Sequence, residues 1–283
     1  MSAPELAPGE PRLLVIKVGG SLLSDKRHGG ATDTKAIDSF AALLDDLVRA
    51  YPGRVVLVTG GGSLCHAVGV RVDERADPFS AVGLTEPAFA MKWAWTSALR
   101  ARGVRAVPLQ VAAMTWEDPA GTVVADTAVV RRVLESGALP VLSSDFIVTA
   151  SGGLRILSSD HVPGIFVGVE FAPVRVAALA DVPGILTGPT LDSPVLPHLD
   201  PDDVARAEPL FWPTGEWDAT GAMAGKVAAL AEQARRGAEC VITKGDPDAV
   251  DLRYLFAPLS SWPTSLPRTV LARRQSPPLA PVG

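Results

Sequence analysis

The chain has 283 residues, 47% of them hydrophobic, which is enough to bury a sizeable core in one large domain or two packed lobes. Its formal net charge of −5 argues against a broad basic surface, so we expect no nucleic-acid partner. No apolar run is long enough to cross a bilayer, and the first residues lack the pattern of a signal peptide. Because its two cysteines, Cys65 and Cys240, lie far apart in the chain, we expect a cytoplasmic protein with no membrane partner and no disulfide framework.

Strand-like and helix-like segments alternate along the chain. Asp33 or Thr34 can cap the first helix, and Thr85 can cap the second. The predicted elements are a strand at 13–16, a helix at 34–50, a strand at 55–59, a helix at 85–102, a strand at 104–109, a helix at 126–136, strands at 140–143 and 175–179, a helix at 222–236 and a strand at 240–243. This alternation predicts an α/β fold whose mainly parallel sheet is covered on both faces.

Two proline-rich segments have weak periodicity. Residues 183–213 are interpreted as a long loop or a small excursion over the sheet. The tail after Trp262 is expected to fray.

The sequence Lys17-Val18-Gly19-Gly20-Ser21 follows the first predicted strand directly. Glycines at a strand end let the backbone turn its N–H groups toward an anion. A lysine beside them adds a compact positive charge suited to phosphate. Lys26 lies nine residues further along. This cluster indicates a phosphoryl-transfer site.

A second glycine turn, Gly60-Gly61-Gly62, comes directly after the second strand and is followed by His66. Ligands of open α/β sheets bind at the edge where the carboxyl ends of the parallel strands meet. We therefore expect both glycine turns to face the same ligand site.

Two further clusters carry polar groups. One is the Ser-Ser-Asp sequence at 158–160, and the other is Thr220-Gly221, followed by Lys226, at the start of a predicted helix. Free N–H groups and the positive end of a helix dipole favour phosphate at such a start. Taken alone, each cluster is explained by a turn, a helix cap or a solvated lysine. Their occurrence together at successive element ends favours a binding site.

The motifs of other nucleotide-binding classes are absent from the sequence. It contains no Gly-x-x-x-x-Gly-Lys-[Ser/Thr], no His-Arg-Asp or Asp-Phe-Gly set, and no Gly-x-Gly-x-x-Gly after the first strand. A P-loop enzyme, a protein kinase and a dinucleotide-binding fold are therefore disfavoured.

Four stretches resemble the amino acid kinase superfamily and keep its order: Lys17-Val18-Gly19-Gly20-Ser21, Gly60-Gly61-Gly62, residues 180–187, and Thr220-Gly221-Ala222-Met223 with Lys226. The position of His66 after the triple glycine resembles the branch of this superfamily that phosphorylates phosphates and phosphonates. Isopentenyl phosphate kinase belongs to that branch. Within this branch the chain most resembles the fosfomycin resistance kinase, through stretches at 82–86, 158–160, 216–223, 234–240 and 257–263.

The resemblance implies an α/β fold, an open αβα sandwich with a central, mainly parallel sheet, and a homodimer. Residues 1–283 would form a single domain. Its N-terminal lobe, about 12–170, would bind the acceptor, and its C-terminal lobe, about 171–265, would bind the nucleotide.

The resemblance also implies roles for the matching residues. Lys17 and Lys226 would flank the transferred phosphoryl group and Asp160 would orient them, so these three are the predicted catalytic residues. The predicted acceptor-binding residues are Gly61, His66, Lys26, Ser158 and Ser159. The predicted nucleotide-binding residues are Lys17, Gly19, Gly20, Gly62, Asp181, Thr187, Thr220, Gly221 and Lys226. ATP is the expected cofactor, and Mg²⁺ is expected to arrive on ATP rather than in a cage of protein ligands.

The expected activity is ATP-dependent phosphorylation of a small phosphonate or phosphate monoester, with fosfomycin or a related phosphonate as the first candidate, in antibiotic resistance or biosynthesis. Isopentenyl phosphate kinase activity is the alternative within the family. A nucleotide-binding sensor or storage protein without transfer activity is the alternative from another class. The presence of Lys17, Asp160 and Lys226 together argues against this last alternative.

Overall fold

The structure is a computed structural model that describes residues 6–25, 31–168, 170–211, 222–249 and 251–273. Lys26, Thr220 and Gly221 lie outside the described residues, so the structure says nothing of their predicted roles.

Strands and helices alternate through the described part of the chain. The strands are β1 (Leu13–Val18), β2 (Ser24–Asp25), β3 (Ala31–Thr32), β4 (Val55–Thr59), β5 (Ala106–Pro108), β6 (Thr115–Glu117), β7 (Val123–Ala125), β8 (Leu139–Ser143), β9 (Asp145–Val148), β10 (Leu154–Leu157), β11 (Val174–Ala180), β12 (His198–Leu199), β13 (Glu239–Lys244) and β14 (Arg268–Leu271). The helices are α1 (Thr34–Ala50), α2 (Gly62–Gly69), α3 (Thr85–Ala101), α4 (Ala128–Glu135), α5 (Val204–Ala207) and α6 (Ala222–Arg235).

The main sheet has the strand order β12-β14-β13-β11-β1-β4-β8-β5. Neighbouring strands are parallel except for the antiparallel pair β13–β14. Helices α1 and α3 pack on one face of the sheet, and α4 and α6 pack on the other. The predicted αβα sandwich with a mainly parallel sheet is confirmed.

Alternation along β1 decides which layer each side chain meets. Leu14, Ile16 and Val18 belong to the core cluster beneath α1 and α3, whereas Leu13 and Val15 belong to the cluster beneath α4 and α6. Lys17 continues the second set, so its side chain rises on the α6 side of the sheet.

Helix α1 has the predicted bounds and the predicted cap. Asp33 Oδ1 accepts the backbone N–H groups of Lys35 and Ala36, both at 3.0 Å. These are two of the donors that a helix start leaves without an internal partner.

The predicted cap of α3 is wrong. Thr85 is already helical, with φ −58° and ψ −48°, and Leu84 takes the cap position without a side-chain hydrogen bond. The reason is that a 3-10 turn over Ser80–Leu84 runs directly into the helix, so the chain enters it already wound.

The expectation of a frayed tail after Trp262 is wrong for residues 268–271. This segment forms β14, which pairs antiparallel with β13 and parallel with β12. The segment 183–213 was expected to be a loop or a small excursion over the sheet. It contains β12, which extends the main sheet at one edge, and the short helix α5.

A smaller sheet with the order β10-β9-β6-β7 is built from β6 and β7, which lie between β5 and β8 in the chain, and from β9 and β10, which follow β8. A separate two-stranded sheet pairs β2 with β3. Neither was predicted. The main sheet continues across residue 170, because β11 pairs with β1. The assignment of acceptor and nucleotide to two lobes stays a prediction.

Candidate active site

Lys17, Asp160 and Lys226 meet at the carboxyl edge of the sheet. Lys17 Nζ lies 2.7 Å from Asp160 Oδ1, and Lys226 Nζ lies 3.3 Å from the same oxygen. Lys17 is the penultimate residue of β1, Asp160 follows β10, and Lys226 stands in the first half of α6. The structure thus joins three residues that the sequence proposed as a catalytic set, and two positive charges share one negative charge.

Burial shapes the charges of this trio. The Lys17 side chain is 4% exposed, and burial together with the charge of Lys226 lowers the pKa of Lys17 to about 8, despite the contact with Asp160. Burial alone would raise the pKa of Asp160, but the two ammonium groups outweigh it and lower this pKa to about 2. Asp160 is therefore ionised at neutral pH and is the counter-charge of both lysines.

The two glycine turns lie directly against each other. A side chain at Gly20 would place its Cβ 2.7 Å from the Gly62 nitrogen, and a Cβ on Gly60 would overlap the backbone of Gly20. Gly62 adopts φ +56°, a conformation that glycine takes without strain. Glycine is therefore required at these turns by the close approach of the two backbones.

Backbone N–H groups differ in their availability. The N–H of Gly19 donates to the Leu179 carbonyl at 2.8 Å, so this donor is occupied, and the nucleotide-binding role of Gly19 stays a prediction. Because Gly19 lies beside β11, its N–H holds the glycine turn to the sheet. Within the described ranges, the N–H groups of Gly20 and Gly62 have no hydrogen-bond partner, so these two donors are available to an anion.

Ser24 links the two glycine turns, and sequence reasoning missed it. Its hydroxyl donates to the Gly20 carbonyl at 3.1 Å and accepts the Ser63 N–H at 3.2 Å. A small polar residue in a short hairpin carries no spacing signal, so only the folded chain shows this contact.

Other predicted acceptor-binding residues surround the start of α2 and the 158–160 turn. His66 is exposed on α2, one turn beyond Gly62, while Gly61 packs against Cys65 at the base of the same helix. Ser159 is buried, and Ser158 Oγ lies 2.8 Å from His161 Nδ1. The acceptor roles of these residues stay predictions.

Two other predicted nucleotide-binding residues, Asp181 and Thr187, follow β11 in the chain. Asp181 is exposed directly after β11. Thr187 donates both its N–H and its hydroxyl to the Pro194 carbonyl, at 2.8 and 2.9 Å. Lys244, which the sequence analysis did not consider, is exposed at the end of β13 in register with Ala180. It adds a positive charge at the edge where Asp181 emerges.

A buried polar network lies near Cys65, and sequence reasoning also missed it. Lys92 Nζ donates to Gln110 Oε1 at 3.0 Å, and Gln110 Nε2 donates to Asp145 Oδ1 at 3.1 Å. Burial lowers the pKa of Lys92 and raises that of Asp145. Burial also raises the pKa of Cys65 to about 11, so this thiol is protonated at neutral pH.

Among the described residues, no helix is long and apolar enough to cross a membrane. In the same ranges no group of three or more His, Cys, Asp or Glu side chains is arranged to hold a metal ion.

Comparison with known proteins places this geometry in a family. A sequence model described as "Amino acid kinase family" matches residues 12–244. The chain is 30% identical over 221 residues to the isopentenyl phosphate kinase of Haloferax volcanii, covering 77% of this chain and 87% of that protein. It is 26% identical over 248 residues to the isopentenyl phosphate kinase of Methanothermobacter thermautotrophicus, covering 81% and 90%.

Solved structures agree on the fold. A crystal structure of an isopentenyl phosphate kinase substrate complex superposes with a TM-score of 0.66 at 18% identity, covering 92% of this chain and 100% of that one. Since the family match spans most of the chain and takes in both glycine turns and the trio Lys17, Asp160 and Lys226, this protein belongs to the amino acid kinase family and is, as its motifs predicted, an ATP-dependent phosphotransferase.

Proposed function

We propose that this enzyme transfers the γ-phosphoryl group of ATP to a small phosphate monoester, and that isopentenyl phosphate is the acceptor. The observation that carries the transfer is the pairing of Lys17 and Lys226 with one oxygen of Asp160, beside the N–H groups of Gly20 and Gly62, which have no partner in the described part of the chain. The trio keeps one surplus positive charge, which suits a site for phosphate oxygens.

The acceptor needs no general base. A phosphate monoester is already an oxyanion at neutral pH, and its oxygen attacks the γ-phosphorus of ATP directly. A new P–O bond forms to the acceptor, and the bond from the γ-phosphorus to the bridging oxygen breaks, so that ADP leaves with the electron pair. Lys17 and Lys226 hold the two anions in line and neutralise the charge of the group in transit.

Mg²⁺ would supply further charge neutralisation on the ATP phosphates, with most of its ligands from phosphate and water. Asp160 suits this arrangement as a lysine-positioning group, because its Oδ1 already contacts two ammonium groups. The chain's own contribution is then the two lysines and the backbone donors.

The remaining predicted residues divide between the two substrates. We assign Gly61, His66, Lys26, Ser158 and Ser159 to the acceptor phosphate. A second set is assigned to ATP: Asp181, Thr187, Thr220 and Gly221. Gly19 stays a predicted nucleotide-binding residue whose N–H is already bonded.

The choice of isopentenyl phosphate rests on relatives of the chain. Two of them, from Haloferax volcanii and Methanothermobacter thermautotrophicus, are named isopentenyl phosphate kinase, and both support this acceptor over fosfomycin.

The test is a panel of acceptors with ATP and Mg²⁺, followed by ADP release and by phosphorus NMR of the product. We expect the highest kcat/KM with isopentenyl phosphate, compared with fosfomycin and simple alkyl phosphonates. A clear preference for fosfomycin would overturn the acceptor and leave the transfer mechanism in place. Nucleotide binding without turnover of any acceptor would overturn the transfer itself and favour a sensor or storage protein.

A further inference from the structure

Gln233 is a buried polar residue of α6 whose neighbours on the helix are mainly apolar. It is 2% exposed, and its neighbours on the helix, Leu230 and Ala234, belong to the core beneath the sheet. Burying an amide costs free energy unless it makes hydrogen bonds. Gln233 Nε2 donates to the main-chain carbonyl of Asp160 at 2.8 Å, and Oε1 has no partner among the described residues.

The position of Gln233 on the helix relates it to the catalytic trio. It follows Lys226 by seven residues, about two helical turns, so both side chains leave α6 on the same face. Lys226 contacts the carboxylate of Asp160, and Gln233 contacts the backbone of the same residue. One helix therefore holds Asp160 at two points.

We propose that Gln233 is a positioning residue, which holds the Asp160 backbone against α6 so that its carboxylate reaches both lysines. The inference deepens the proposed function and rests on it for its catalytic consequence. Asp160 belongs to an irregular turn between β10 and a 3-10 turn over Val162–Phe166, and its side chain is 23% exposed. Within the described residues no strand pairing holds that turn, so the Gln233 bond ties its main chain to α6, while Lys226 contacts only the Asp160 side chain.

A purely structural role makes a different prediction. Arg236, just beyond α6, donates to the Val167 carbonyl at 2.5 Å and ties the other end of the same 3-10 turn to the helix. If Gln233 only fastens this segment, removing either contact should have the same consequences. Arg236→Met is therefore the matched control for Gln233→Met, which keeps side-chain length while removing the donor.

The first readout is the titration of Lys17 in the free protein, followed by ¹³C NMR of labelled lysines. The chain has six lysines, so Lys17→Arg assigns the signal. The charged groups that act on Lys17 are Asp160, which raises its pKa, and Lys226, which lowers it. Loosening Asp160 should therefore move the Lys17 titration in Gln233→Met to lower pH, whereas Arg236→Met should titrate as wild type.

The second readout is kinetic. We expect Gln233→Met to lower kcat at least tenfold and to change KM for ATP less than threefold, because the trio acts mainly on the group in transit. Gln233→Leu should show the same changes as Gln233→Met, and it replaces Gln233→Met if that variant folds poorly. An unchanged Lys17 titration, or an equal change in Arg236→Met, would overturn the proposal. A shifted titration in a protein that phosphorylates no acceptor would contradict the proposed function instead.

Discussion

At the scale of single residues, the site depends on a lysine that the fold places in an unfavourable environment. Lys17 is buried, faces the like charge of Lys226 and has Asp160 as its counter-charge among the described residues. A phosphate group would relieve both penalties by supplying negative charge. The bound substrate and the protein therefore share the work of keeping this ammonium ionised.

Replacing this lysine should mainly affect the chemical step. We expect Lys17→Met to reduce kcat at least 100-fold, since removing one preorganised electrostatic donor costs about 3–4 kcal/mol of transition-state stabilisation. Steady-state kinetics with the preferred acceptor measures this. Lys35→Met is the control, because Lys35 is exposed on α1 and should leave kcat unchanged. A Lys17→Met enzyme with near-normal kcat would contradict the assigned role.

Activity should also depend on pH through the same lysine. With a pKa of about 8 in the free enzyme, Lys17 loses its proton as pH rises above 8, so kcat/KM should fall on the alkaline side. Bound phosphate raises this pKa, so kcat should fall only at higher pH. Profiles of kcat/KM and of kcat against pH test whether kcat/KM falls at the lower pH. An active Lys17→Arg enzyme should show no fall in this alkaline range.

At the scale of elements, the two glycine turns form one unit. The backbone of each turn occupies the space that a side chain on the other turn would need. The Gly60 N–H donates to the Val18 carbonyl. The Ser24 hydroxyl donates to the Gly20 carbonyl and accepts the Ser63 N–H, so it bonds to both turns. The turns follow neighbouring parallel strands, β1 and β4, so the sheet register itself brings them together.

A methyl group at this contact should separate the turns. We expect Gly20→Ala to lower kcat by at least tenfold and to lower the melting temperature, because its Cβ would lie 2.7 Å from the Gly62 nitrogen. Gly69→Ala on α2 is the control, since a Cβ there meets no atom within 4 Å. If Gly20→Ala matched Gly69→Ala in both kinetics and thermal unfolding, the turns would not need this close approach.

At the scale of the whole molecule, Arg175 connects segments that are distant in sequence. It lies buried in β11, forms an ion pair with Glu239, and donates to the carbonyls of Gly9 and Ala257 at 2.9 and 2.7 Å. The Trp262 ring lies 5.6 Å from its guanidinium carbon. These contacts fasten the C-terminal segment, including the approach to β14, to the sheet.

Removing this arginine should destabilise the protein and spare the chemistry. We expect Arg175→Met to lower the free energy of unfolding by about 3 kcal/mol, because buried carbonyls lose a charged donor. Urea unfolding measures this, with the exposed Arg206→Met as a control expected to change stability by less than about 0.5 kcal/mol. Arg175 and Glu239 are paired at the amino ends of β11 and β13, far from the carboxyl edge, so kcat should be retained under conditions in which the variant is folded. A large loss of kcat with unchanged stability would contradict this division.

The homodimer and the cytoplasmic location stay predictions. Light scattering of the purified protein tests the first.

Local pattern by itself determined much of this protein. Continuous apolar runs predicted β1, β4 and β11, helical spacing and Asp33 predicted α1, and Lys17 with its glycines predicted an anion site at a strand end. These features are encoded within a few neighbouring residues, where chain geometry alone decides the outcome.

Tertiary structure alone decided which distant groups touch. It showed that the Gly19 N–H donates to the Leu179 carbonyl and that Ser24 bonds to both glycine turns. It also showed that Gln233 donates to the main-chain carbonyl of Asp160. It also made β14 a strand, because β12 and β13 offered it partners on both sides. Hydrogen bonds between segments far apart in the chain have no sequence period, so they appear only when packing has set the distances.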